Sequence, residues 1–125
     1  MRPGRPTLDA MTATREDGQP VVPLPERDPA ALRAAVAKLD TAALAKFESD
    51  WTAATARARD EYSLMPARYF LEHWWAWVAV ERWPALAGRL RVCERIVAES
   101  ADRDARRAAA AEISEILRRA ESATT

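Results

Sequence analysis

RYFLEHWWAWVAVERW, residues 68–83, carries Trp74, Trp75, Trp77 and Trp83, four of the five tryptophans in a chain of 125 residues. It reads as most of a helix that opens at Ser63 and is stopped by Pro84. A serine hydroxyl accepts an orphan amide proton at a helix start, Pro66 is tolerated in the first turn, and a proline after Trp83 ends the run. At about 100° per residue, Phe70, Leu71, Trp74, Trp77 and Val78 gather on one broad apolar face, while Tyr69, Trp75, Val80 and Trp83 fall outside its centre. A helix that is apolar over most of its circumference has to be covered over most of it, and each aromatic can bury roughly 150 to 250 Å². Either this helix is the central post of a small bundle, or part of it is a docking surface. The seam assigns Trp51, Trp74 and Trp77 to the core and leaves Trp75 and Trp83 for a partner or a second copy, since tryptophan with arginine is the composition of interface hot spots.

The neighbouring elements are short amphipathic helices. Asp28 followed by Pro29 starts the first, over about 29–39, because the carboxylate caps free amides and proline fits the first helical position. Leu32, Ala35, Val36 and Leu39 make its stripe. Asp40 caps a second helix over about 41–61, in which Leu44, Phe47, Trp51, Ala54 and Ala58 alternate steps of three and four, a seam suited to packing within a bundle. A fourth runs over about 84–99 with Leu86, Leu90, Cys93, Ile96 and Val97 inward, and a fifth from 102 or 103 to 121 presents Ala105, Ala109, Ile113, Ile116, Leu117 and Ala120. No stretch alternates as a strand does. The expected fold is all-α, a compact bundle of four to five short helices over residues 28–121, preceded by a disordered proline-rich tail over residues 1–27. That tail ends in Val21, Val22 and Leu24 set among Pro20, Pro23 and Pro25, an extended apolar segment that either lies on the domain or docks on a partner.

Composition closes off several classes of function. Nineteen Lys plus Arg balance nineteen Asp plus Glu, so the long-range field of a general phosphate binder is missing. Cys93 is alone, which rules out an internal disulfide, and with His73 as the single histidine a Cys/His zinc site cannot be assembled. No metal or cofactor is expected. The start of the chain has positive charge but no apolar run of signal-peptide length, and the most apolar stretch, residues 69–80, is too short to span a bilayer, so the product is expected to be cytoplasmic with no membrane partner.

Catalytic chemistry finds no constellation. His73 has Glu72 beside it in sequence, but adjacent helical residues point about 100° apart, and Cys93 on an aliphatic seam is a small buried hydrophobe rather than a nucleophile. No enzyme is expected, and His73 reads as a partly buried histidine or an interface hydrogen-bonder. The three glycines, Gly4, Gly18 and Gly88, build no phosphate loop. Arg82, Arg89, Arg91 and Arg95 near Trp83 form the best candidate contact with nucleic acid, interrupted by Glu81, Glu94 and Glu99.

Leu24-Pro25-Glu26-Arg27-Asp28-Pro29 with Leu32, then Phe47-Glu48-x-Asp50-Trp51, Tyr69-Phe70-Leu71-Glu72-His73-Trp74-Trp75 and Glu94-Arg95-Ile96-Val97 resemble a family of small actinobacterial helical proteins of unknown function. The resemblance covers about residues 23–118, and the histidine followed by a double tryptophan is its most specific part. Family members are often encoded beside toxins of the RelE/ParE-like class, which implies an antitoxin-like role, neutralising a small toxin by stoichiometric binding. Trp75, Trp83, Tyr69 and His73, with Val21, Val22 and Leu24, are the expected partner-binding residues, the partner being a small toxin-like protein or a second copy. The alternative is a DNA-binding transcriptional regulator using the arginine-bearing fourth helix. Many antitoxins carry an operator-binding module, and no recognition helix is apparent here.

Overall fold

The computed structural model describes residues 19–122. These hold five helices and no strand: α1 (Pro29–Leu39), α2 (Thr41–Glu61), α3 (Met65–Glu81), α4 (Pro84–Glu99) and α5 (Arg103–Ser122). The fold class is therefore all-α, as the periodicity requires. Residues 1–18, the larger part of the expected tail, lie outside the described residues.

The helix limits follow from local chemistry. Asp28 Oδ1 accepts from the Ala31 amide at 2.9 Å and Pro29 takes the first position of α1. Asp40 ends α1 by donating its amide to Val36 O and opens α2 by accepting from the Ala42 amide on Oδ1 at 3.0 Å. At the far end of α2, Tyr62 adopts the left-handed conformation, φ 52° and ψ 43°. This lets the Ser63 amide reach back to Ala58 O at 3.0 Å, which satisfies a terminal carbonyl of α2. Ser63 Oγ then accepts from the Met65 amide at 3.1 Å and starts α3. α3 ends at Glu81, two residues before the expected Trp83. Pro84 pushes the residue before it out of the helical region, and Trp83 sits at φ −111°, ψ 95°. Asp102 Oδ1 accepts from the Asp104 amide at 2.9 Å and opens α5.

The described residues divide into two units, one of Leu24–Ala79 and one that joins residues 19–23 with residues 80–122. In the first, α1 packs on α2 and buries Leu32, Ala35 and Val36, while the α2 and α3 side chains meet through stacked aromatics. Phe47 lies edge-on to Phe70 at 5.0 Å and to Trp74 at 5.3 Å, and Trp51 approaches Phe70 at 4.9 Å between ring centroids. Such edge-to-face pairs add to the area they bury because the positive ring edge meets the negative face. In the second unit α4 packs on α5, burying Ala87 and Cys93 on one side and Ala109, Ile116 and Ala120 on the other. Val97, expected on the α4 seam, is instead exposed.

Of the three tryptophans assigned to the core, Trp74 is buried while Trp51, like Trp77, is half-buried. Trp75, left for a partner, is 6% exposed. The cover comes from residues 24–27: Pro25 O accepts from Trp75 Nε1 at 3.1 Å, and the Arg27 guanidinium stands over the indole at 3.8 Å from its centroid. The segment just before α1 thus serves as an extra wall of this unit.

Candidate functional site

With Trp75 inside, most of the large apolar side chains that face water lie together elsewhere, Val21, Val92 and Val97 apart. Tyr62 is 97% exposed, Leu64 76%, Tyr69 65% and Met65 41%. All four belong to the corner between α2 and α3, and Met65 and Tyr69, four residues apart, share a face of α3. Turn residues are ordinarily polar, so three large apolar side chains within residues 62–65 need a reason. Tyr62 adds a second anomaly, because a left-handed backbone costs an L-residue with a Cβ roughly 1–2 kcal/mol, and glycine is the usual occupant of such a cap.

The corner continues into an open groove of about 300 Å³ between α2 and α3. Asp50, Ala53, Ala54 and Arg57 form its α2 wall; Pro66, Tyr69, Phe70, His73 and Trp74 form its α3 wall. The floor is apolar, with buried Phe70 and Trp74 beside two alanines whose small side chains leave the groove open. Asp50 is fixed by Trp74 Nε1, which donates to it at 3.2 Å, and by Lys46 Nζ at 3.2 Å. His73 is exposed and lies edge-on to Trp74 at 5.7 Å. Apolar contact flanked by fixed charges of both signs suits recognition of a protein surface.

Of the residues singled out in the sequence, Tyr69 and His73 come together on this groove. Trp75 does not reach it as a surface, and Leu24, half-buried, belongs to the same unit. The other unit holds the rest. The Val21 amide donates to Arg82 O at 2.7 Å; Val21 remains 58% exposed while Val22 is buried. Trp83 is half-buried, and its Nε1 is buried with no acceptor among the described residues.

The arginines are largely engaged. Arg82 is fully buried, donates to Val22 O at 3.4 Å and lies 5.1 Å from the Trp83 ring centroid; burial holds its pKa below the ordinary guanidinium value. Arg89 grips Glu112 of α5 with two nitrogens, the Nη2 contact measuring 2.8 Å. That contact holds the Glu112 carboxyl below, and the Arg89 guanidinium above, their ordinary pKa values. Arg91 reaches Glu81 at 2.8 Å, and Arg95 stays exposed. Cys93 is fully buried, and its removal from water, with the Glu112 charge nearby, pushes the thiol pKa up, the opposite of what a nucleophile needs.

Among the described residues no three His, Cys, Asp or Glu side chains come together as a metal site, and no helix is long and apolar enough to cross a membrane. The fold and groove define an all-α protein whose outstanding surface is an apolar corner. The chain belongs to the DUF6247 family, a family of unknown function, whose model matches residues 20–124. No curated protein and no solved structure matches it. The matched span starts at Pro20, so the segment that covers Trp75 lies within the family's domain.

Proposed function

We propose that the chain is a non-enzymatic protein-interaction module, antitoxin-like in action, that neutralises a small toxin in the cytoplasm by stoichiometric binding at the α2–α3 corner. The observation that carries this reading is the exposure of Tyr62, Leu64 and Met65 at the α2–α3 corner together with that of Tyr69, which lines the apolar groove. Isolated apolar residues on a surface need no explanation, but a contiguous set of large ones is the mark of an interaction site. Aromatics placed beside arginine, here Tyr69 with Arg57, provide the anchors on which such sites depend. The class of partner comes from the resemblance to actinobacterial proteins encoded beside RelE/ParE-like toxins. The regulator alternative draws less support, since Arg82, Arg89 and Arg91 are held within the chain.

The test is co-expression with the product of the neighbouring toxin-like reading frame. Wild-type chain should co-purify with it and rescue growth. Leu64→Asp with Tyr69→Asp should keep the helicity and melting of the wild type while weakening the complex by about 2 kcal/mol or more, the scale of a lost hot spot. Failure of the wild type to bind, or undiminished binding by the variant, ends this reading.

A further inference from the structure

α2 bears on its outer face a series of charges whose symmetry one copy of the chain leaves unused. Lys46, Asp50, Arg57 and Glu61 read plus, minus, plus, minus along the helix. At about 100° per residue they share, with Ala53 and Ala54, an arc of roughly 100°. Asp50 and Arg57 stand at equal steps on either side of the Ala53–Ala54 bond, and Lys46 and Glu61 stand at equal steps farther out. If the helix is reversed and laid against itself about a two-fold axis through that bond, every charge meets its opposite, Lys46 with Glu61 and Asp50 with Arg57.

The pairs formed within one copy are poor reasons for this order. Lys46 Nζ lies 3.2 Å from Asp50, and Arg57 Nη2 lies 3.1 Å from Glu61, each pair four residues apart. Both place the base before the acid, the less favourable orientation against the helix dipole, and Glu61 occupies the last residue of α2, where a negative charge is disfavoured. A second copy would set a lysine against that carboxylate. Ala53, exposed at the centre of the series, permits close approach of two helix backbones there.

We infer that this face is an isologous interface, on which α2 of one copy packs antiparallel against α2 of a second copy, with Tyr69 and His73 flanking the incoming helix. A closed two-fold contact requires a self-complementary patch, and this one is self-complementary in charge, with a small side chain, Ala53, beside the axis. In this register the first residues of each α2, from Thr41, run past Glu61 of the other copy and approach its α2–α3 corner. This face shares Asp50, Arg57, Tyr69 and His73 with the groove assigned to toxin binding, so the two contacts would compete; the test of the dimer uses the chain alone, and its outcome is independent of whether a toxin binds.

Sedimentation equilibrium of the full chain across the micromolar range should show a monomer–dimer equilibrium that added salt weakens. K46E faces Glu61 with a like charge, and E61K does the same to Lys46. The two side chains are 69% and 48% exposed, so the fold is preserved and circular dichroism checks it. Each variant alone should dimerise at least about tenfold more weakly, the effect of roughly 1.4 kcal/mol. An equimolar mixture should recover the wild-type affinity, because the heterodimer restores both opposed pairs. A53W, bulky at the axis, should dissociate in every combination. A wild type that stays monomeric, single variants that associate as tightly as the wild type, or a mixture no tighter than its components would each overturn the interface.

Discussion

The Trp75 indole is held by a backbone carbonyl and a cation together. Pro25 O takes its N–H, Arg27 stacks on its face, and Arg27 Nε is itself fixed by Glu72 at 3.1 Å. Trp75→Ala therefore removes a filled volume, a hydrogen bond and a cation–π contact, and should cost about 3–5 kcal/mol in urea unfolding. Trp77→Ala, at a half-buried site, should cost clearly less. Equal losses would mean that residues 24–27 do not cover Trp75 in solution. Tyr62 offers the opposite experiment. Its left-handed backbone is strained and its side chain is almost wholly exposed, so Tyr62→Gly should raise stability by about 1 kcal/mol. If the corner is a binding site, the same change should weaken partner binding, a gain in stability set against a loss of contact.

The α4 and α5 helices are clasped by Arg89 and Glu112, and the clasp is sensitive to acid. The hydrogen bond from Arg89 lowers the folded-state pKa of Glu112 below its unfolded value. The stability it contributes is therefore present above the ordinary carboxylate range and is lost as pH falls through the folded-state pKa. Glu112→Gln should flatten the acid limb of the melting-temperature profile relative to wild type; an unchanged limb would show that the clasp is open in solution. A second element-scale test concerns the segment before α1. A chain beginning at residue 28 should melt below one beginning at residue 19, because it lacks buried Val22 as well as the Pro25 and Arg27 contacts. These contacts were not legible in the sequence. Asp28-Pro29, Asp40, Ser63 and Asp102 announce their helices because a cap acts on amides two or three residues away. Trp75 meets Pro25 across fifty residues, and no helical period encodes that pairing. Tyr69 and His73, named in the sequence as partner-binding residues, both line the groove, whereas reading Ser63 only as a helix cap passed over the exposed Tyr62, Leu64 and Met65 beside it.

For the whole molecule, equal numbers of acidic and basic residues leave no net field to draw a charged partner from a distance. The binding proposed at the α2–α3 corner would then draw on apolar contact, with the charges of Asp50 and Arg57 fixing orientation more than strength. This gives the salt dependence a definite form. Phosphate binding releases a counterion for each contact, so a regulator gripping DNA through several arginines loses affinity steeply with added salt, each phosphate contributing about −0.9 to the slope of log K against log salt. The corner complex should show a slope of magnitude below about 1, and replacing Arg91 and Arg95 by alanine should leave its affinity unchanged. Titration of the purified toxin-like partner at rising salt, beside titration of DNA from the same locus, separates the two. A steep slope that depends on Arg91 and Arg95, together with retention on DNA, would turn the reading from masking of a protein to regulation of a gene. A flat slope that disappears with Leu64→Asp and Tyr69→Asp would locate the energy in the apolar corner, where the exposed aromatics already lie.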